Sequence, residues 1–303
     1  MPEFQLSHRS PLLVFGVRMQ QSSLWLGATL IHGQDQAPKA PPLIRIGVVT
    51  DLHYAEKRSS GSRHYQESTR KLTEAVALFQ QEKPDFVIEL GDLVDAAPTA
   101  EQEIKFLKTI NAIFEKVDCP RHYVLGNHCV ATLTKEQFYQ SCGAKKSGYY
   151  SWDQNGVHFI ILDACYQKDL KDYRPGNFEW SDTNIPPVES AWLAKDLKST
   201  TLPTVAFVHQ RLDLEPGTSP YAIKQSLEVR KILEDSGQVR AVFQGHSHKH
   251  ELHQIGDIAY CTIAAMVEGS GATNNSYAML EIYKDGAIQL KGFRKQETRK
   301  IPA

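Results

Sequence analysis

The chain has 303 residues, 41% of them hydrophobic, enough for one large core or two small ones. Its 34 basic residues nearly cancel 35 acidic ones, leaving a formal charge of −1 and no basic footprint for long nucleic acid. The 5 cysteines are widely spaced with no Cys-x-x-Cys pair, which argues against a disulfide framework or zinc ribbon. No stretch reaches the ~18 uninterrupted apolar residues of a membrane span.

Residues 1–42 carry two apolar runs, 11-PLLVFGV-17 and 24-LWLGATLI-31, followed by the Pro-rich 33-GQDQAPKAPP-42. They read either as an export leader with a linker or as an N-terminal arm packed on the domain, and the compartment is exported or cytoplasmic accordingly. From 43 to 303, short β-branched runs alternate with amphipathic stretches, the rhythm of an α/β domain. Strands are expected at 43–49, 86–90, 122–125, 157–162, 204–208 and 239–243. Helices are expected over 65–81, with Leu72, Val76 and Phe79 on one face, and over 101–117, 188–198 and 225–236. The C-terminal part reads as a strand meander, 250–255, 258–265, 276–283 and 287–293, with Asp285-Gly286 as a hairpin turn.

Five strands end in a turn bearing Asp, Asn or His: 50-TDLH-53, 91-GDLVD-95, 126-GNH-128, His209 and 244-QGHSH-248. One such Asp or Asn alone would be a cap or turn former, and a lone His a hydrogen-bonded, half-buried side chain. Together they point to one crevice, because open α/β sheets gather ligand-binding groups at the carboxyl ends of their strands. Asp51, His53, Asp92, Asn127, His209, His246 and His248 mix carboxylate, amide and imidazole with no thiolate, a donor set for Mn, Fe or Zn. That is too many donors for one tetrahedral ion. They suit two divalent ions about 3.5–4 Å apart that share a carboxylate, here Asp92.

The ordered set D-x-H, G-D-x-x-D, G-N-H, lone His and G-H-x-H resembles the calcineurin-like metallophosphoesterase superfamily, over about residues 44–250. The resemblance implies a four-layer αββα sandwich of two mixed sheets. It also implies one ion on Asp51, His53, Asp92 and His248, and another on Asp92, Asn127, His209 and His246. Within the superfamily, 50–72 and 148–166 look like the manganese-dependent ADP-ribose/CDP-alcohol diphosphatase branch, which favours Mn. Members of that branch usually carry Gln where this chain has His53. A second departure is 126-GNHC-129, where the superfamily reads G-N-H-D or G-N-H-E; Cys129 is expected to be a small buried hydrophobe.

The expected activity is hydrolysis of phosphodiester or pyrophosphate bonds in small, nucleotide-like phosphorylated substrates by hydroxide generated between the ions. Asp92 and Asn127 are indispensable in this reading. His128 stabilises the transition state or protonates the leaving oxygen, and Asp95 positions a histidine or a turn. Alternatives are a phosphomonoesterase on the same site, a nuclease (disfavoured by the charge) and a non-catalytic metal-binding scaffold. Substrate contacts are expected from Tyr54 and Arg63 after the first turn, and from Tyr173 and Arg174 in the irregular 164–187, where Tyr166, Phe178 and Trp180 also lie. An ordinary packed loop is the alternative there. His250 and His253 are expected to face solvent or to hydrogen-bond within the sheet.

Overall fold

The computed structural model describes residues 40–144 and 148–301, so the leader or arm expected at the N-terminus lies outside the described residues up to 39. The strands are β1 (Ile44–Val49), β2 (Phe86–Glu89), β3 (Arg121–Tyr123), β4 (Tyr150–Gln154), β5 (Val157–Ile161), β6 (Thr204–Phe207), β7 (Val239–Gln244), β8 (Glu251–Ile255), β9 (Ile258–Thr262), β10 (Ser276–Ile282), β11 (Ile288–Arg294) and β12 (Arg299–Ile301). The helices are α1 (Ser68–Glu82), α2 (Ala100–Phe114), α3 (Lys135–Ser141), α4 (Pro187–Ser199) and α5 (Ser226–Ser236).

Two six-stranded mixed sheets form, ordered β12-β11-β10-β1-β2-β3 and β4-β5-β6-β7-β9-β8. Alternation along β1 and β2 decides which way each side chain points. Ile44, Ile46 and Val48 join Phe86 and Ile88 between the sheets, facing Phe159, Phe207 and Phe243 of the second sheet. Val49 and Val87 point the other way, onto Leu72, Val76 and Phe79 of α1 and Phe106, Leu107, Ile110 and Phe114 of α2. A third core sits under Leu193, Leu197, Val229 and Leu233 of α4 and α5. Three apolar layers thus separate four structural ones, the αββα sandwich.

β4, α3 and the terminal strand β12 go beyond the expected strands and helices. β4 pairs antiparallel with β5 at a sheet edge. The short α3 opens on a capping box, in which Thr134 and Gln137 satisfy each other's backbone. The C-terminal strands also differ from a meander. β8 and β9 complete the second sheet, β9 lying parallel to β7, whereas β10, β11 and β12 complete the first. The 263–275 connection therefore crosses between sheets and passes the strand ends where the histidines gather.

Candidate active site

The turns after β1, β2, β7 and the crossing connection are zipped together by backbone hydrogen bonds. Asp51 N donates to Gly91 O (2.9 Å), His53 N to Asp92 O (2.8 Å), Met266 N to Thr50 O (3.1 Å) and Val267 N to Asp51 O (3.0 Å). Such close passage requires glycine: a Cβ on Gly91 would strike His209, one on Gly126 would strike Asp92, and one on Gly245 would strike Thr50 and Asp51. Among the described residues nine non-glycine residues have positive φ, and five of them are Asp51 (51°), His53 (44°), Asp92 (60°), His246 (69°) and His248 (62°). Each costs on the order of 1 kcal/mol or more and persists only where the surroundings enforce it. Strain concentrated on those five residues marks the site.

The side chains converge. Asp92 Oδ2 lies 3.2 Å from His209 Nε2 and 3.5 Å from His53 Nε2. Asp51 Oδ1 lies 3.4 Å from His248 Nε2, 3.7 Å from His53 Nε2 and 4.0 Å from His209 Nε2. Ligand atoms of Asp51, His53 and His248 fall within 4.8 Å of one another, as do those of Asp92, His209 and His246. Asp92, which faces histidines of both groups, is placed to be shared. Asp51 Oδ1, both polar side-chain atoms of Asn127, His209 Nε2 and His246 Nε2 are buried without a hydrogen-bond partner among the described residues. Leaving so many polar atoms desolvated is costly, and two divalent cations would satisfy the carboxylate oxygen, the amide oxygen and the imidazole nitrogens among them. The residues present fit a two-metal centre. A third group, His53, Asp95 and His128, already has the Lys57 ammonium 3.0 Å from Asp95 Oδ2.

Electrostatics follow from burial and this mixture of charges. Burial pushes His53 down to about 4, and burial with repulsion from His209 holds His246 well below its ordinary value. Both rings are therefore neutral lone-pair donors at physiological pH. Burial opposes ionisation of Asp92, but His209 and His128 outweigh it and keep the carboxylate charged.

Hydrogen bonds behind the site fix the ring orientations. His209 Nδ1 bonds Leu90 O at 2.8 Å and His248 Nδ1 bonds Glu268 Oε1 at 2.6 Å, which turns each Nε2 toward the carboxylates. His128 has the corresponding partner in Asp95, 3.0 Å from Nδ1, and its backbone N–H donates to Asp92 Oδ1 at 2.8 Å. The sequence offered no sign of Glu268, because it lies in the connection between sheets and in no strand-end motif. Cys129 is fully buried in the core of the first sheet, and burial near Glu89 and Asp92 drives its thiol far up, so it is no nucleophile.

The model of the calcineurin-like phosphoesterase family matches residues 44–250. The chain is a calcineurin-like phosphoesterase. A curated relative, the manganese-dependent ADP-ribose/CDP-alcohol diphosphatase of Oryza sativa subsp. japonica, is 23% identical and aligns over 84% of this chain and 92% of its own length. The protein of the same name from Arabidopsis thaliana is 33% identical over 40% of this chain and 42% of its own. Among solved structures, a dimetal phosphatase from Danio rerio shares the fold with a TM-score of 0.76 at 17% identity, covering 86% of this chain and 99% of that one. This phosphoesterase is accordingly a metal-dependent hydrolase of phosphoric ester or anhydride bonds with a two-metal centre.

Around the centre of this phosphoesterase, two expected substrate contacts are corrected. Tyr173 is fully buried, and its hydroxyl donates to Glu179 O (2.7 Å) and Asp182 O (2.6 Å), so it braces the 164–187 loop from within. Tyr54 is buried too, edge-on to Phe106 at 5.9 Å, and belongs to the core. In both cases the aromatic ring joined the core under the first sheet's helices, and the Tyr173 hydroxyl found two carbonyls there. Arg174 is exposed, and no contact links its guanidinium to the cluster among the described residues. Arg63 lies near enough for its charge to oppose protonation of His128 and His248, and its guanidinium forms no hydrogen bond or ion pair among the described residues. The loop reaches the site through other rings: Phe178 lies 5.6 Å from His128 and Trp180 lies 5.9 Å from His246, with Tyr221 5.3 Å from the same histidine. His253 bonds Asp213 and His250 pairs with Glu297, both away from the ligand groups.

Proposed function

We propose that this phosphoesterase hydrolyses the pyrophosphate or phosphodiester bond of small nucleoside-diphosphate-linked substrates, using manganese. The carrying observation is the pair of ligand groups, Asp51/His53/His248 and Asp92/His209/His246, with Asp92 Oδ2 3.5 Å from His53 Nε2 and buried ligand atoms that have no hydrogen-bond partner among the described residues. Its relatives' names, manganese-dependent diphosphatases of ADP-ribose and CDP-alcohols, supply the substrate class. Asp51, His53, Asp92 and His248 would hold one ion, and Asp92, Asn127, His209 and His246 the other. Where relatives of this branch carry Gln, the imidazole of His53 offers a neutral nitrogen within reach of Asp92.

When bound, two divalent cations neutralise phosphoryl oxygens and make hydroxide available at neutral pH. The chain's own part is to orient and to move protons. His128 is held through Nδ1 by Asp95, which leaves Nε2 to give a proton to the leaving oxygen. Arg63, whose guanidinium forms no hydrogen bond or ion pair among the described residues, would offer its charge to a phosphate, and Trp180, 37% exposed beside His246, would offer a face to a planar base.

The test compares metal-stripped protein with and without added Mn²⁺ on bis-p-nitrophenyl phosphate, p-nitrophenyl phosphate, ADP-ribose and a CDP-alcohol. Mn²⁺-dependent cleavage of the diester and the diphosphates is the expected result. A preference for the monoester would replace the reading with a phosphatase. Bound metal without turnover of any substrate would favour a scaffold.

A further inference from the structure

Three of the seven candidate ligands, His209, His246 and His248, ride on two turns that share one buried guanidinium. Arg211 is 1% exposed. Its Nε and Nη2 donate to the two oxygens of Asp213 (2.7 and 2.6 Å), and its Nη1 donates to Glu251 Oε2 (2.6 Å) and Ser247 Oγ (2.8 Å). Ser247 stands between His246 and His248, which both hold left-handed backbone, at φ 69° and 62°. On the far side, Asp213 Oδ1 also accepts from Gln244 Nε2 (2.5 Å), whose Oε1 accepts from Leu212 N (2.9 Å). Gly245 N closes the ring by donating to His209 O (2.9 Å).

A buried guanidinium between two carboxylates is a poor stabilising device in itself, since apolar groups of similar volume often do as well. What an apolar group cannot supply is a rigid fork of directed donors that fixes the separation of two turns. All four of these bonds go to side chains outside the ligand set, so the guanidinium acts on the centre through them. We infer that Arg211 is a positioning residue for the metal centre. Through Ser247 on one turn and Asp213 on the other, it holds His209 and the His246–His248 pair in the register at which their imidazoles face the same ions. The inference rests on the two-metal reading above.

The test is calorimetric titration of Mn²⁺ into metal-stripped protein, beside far-UV circular dichroism and thermal unfolding in EDTA. Arg211→Met leaves the buried Asp213 carboxylate without its guanidinium, so it is expected to keep the spectrum, to unfold in EDTA at a lower temperature than the native chain, and to bind Mn²⁺ about 10–100-fold more weakly. Arg211→Lys, with a single ammonium that cannot span Asp213 and Ser247 together, should be weakened as well. Ser247→Ala cuts only the link to the His246–His248 turn and should weaken Mn²⁺ binding in the same direction, with Ser247→Thr recovering it. A folded Arg211→Met variant with native Mn²⁺ affinity overturns the inference. If Arg211→Met does not fold, Ser247→Ala decides: weaker binding with a native spectrum supports the role, and native affinity overturns it. Failure of the native chain itself to bind Mn²⁺ would instead remove the two-metal reading, and this inference with it.

Discussion

Nδ1 of His128 lies 3.0 Å from Oδ1 of Asp95, and the other oxygen of that carboxylate is held by Lys57 Nζ at 3.0 Å. A carboxylate anchored on one side and bonded to an imidazole on the other fixes the tautomer and the ring plane. Burial disfavours the imidazolium, yet Asp92 and Asp95 outweigh it and raise the pKa of His128 above its ordinary value. In the metal-free chain the imidazolium is thereby favoured. His128→Ala should lower kcat by about 10²–10⁴-fold while leaving Mn²⁺ stoichiometry intact, and Asp95→Asn should give part of that loss. Kinetics and metal titration on the same samples check this. Loss of both metals with the ring would remove the acid role.

Glu268 does for a metal ligand what Asp95 does for His128. Its carboxylate, kept ionised at about 2 first by its hydrogen bond to His248, orients that ring from 2.6 Å. The loop that bears it is held by Lys71, whose buried ammonium donates to the carbonyls of Met266 (2.7 Å), Glu268 (2.9 Å) and Gly269 (2.7 Å). Glu268→Gln is expected to weaken Mn²⁺ binding about 10–100-fold with little change in Tm of the metal-free protein. Native affinity in that variant, read by calorimetry, would show the contact to be incidental.

The ligand candidates were legible in the sequence because strand ends announce themselves. A run such as 86-FVIEL-90 must be buried, and an Asp one glycine later has nowhere to go but the sheet's carboxyl edge. The residues that orient those ligands were not legible. Glu268 reaches His248 only because β9 and β10 belong to different sheets, and neighbouring apolar strands carry no mark of which sheet they join. Arg211 looks in sequence like any surface arginine, and its 1% exposure is set by Glu251 and Asp213. Tyr173 failed for a related reason. Residue type says that a tyrosine has a polar handle, while the fold decides whether carbonyls or a ligand will meet it.

At the rim, Arg63 and Trp180 should act on binding more than on chemistry. Replacing either with Ala is expected to raise KM for a nucleoside diphosphate substrate about 10-fold, on the order of 1.4 kcal/mol, with kcat nearly unchanged. Steady-state kinetics on ADP-ribose separate the two constants. A fall in kcat at constant KM would move Arg63 into transition-state stabilisation.

Glu103 offers a pH signature away from the metals. Its side chain is buried on α2, one oxygen accepting from Ala97 N (2.9 Å), and burial pushes its pKa up to about 7 against that bond and the Thr132 hydroxyl. For an acid whose pKa is raised by folding, the neutral form is the one the fold favours. Its contribution is complete below the unfolded value near 4.5 and is lost as pH rises toward 7. Glu103→Gln should therefore raise Tm relative to the native chain at pH 8, by on the order of 1–3 kcal/mol of stability, with the gap closing at pH 5. Thermal melts at the two pH values, in EDTA to exclude metal linkage, decide it.

Metal removal should cost the fold as well as the activity. Five left-handed residues and a set of unpartnered buried donors surround one small volume, so the stripped protein stores strain and desolvated polarity there. Ions that bind the folded chain and not the unfolded one stabilise it by RT ln(1 + [L]/Kd), about 4 kcal/mol at a thousandfold excess over Kd. EDTA should lower Tm by several degrees or more, and Mn²⁺ should restore it in proportion to the logarithm of its concentration. Asp92→Asn would cut that Mn²⁺-dependent rise sharply, because the side chain lying 3.2 Å from His209 and 3.5 Å from His53 no longer carries a charge to bridge the two groups. If the Asp92→Asn melt rose with Mn²⁺ as steeply as the native one, the shared-carboxylate arrangement would be wrong.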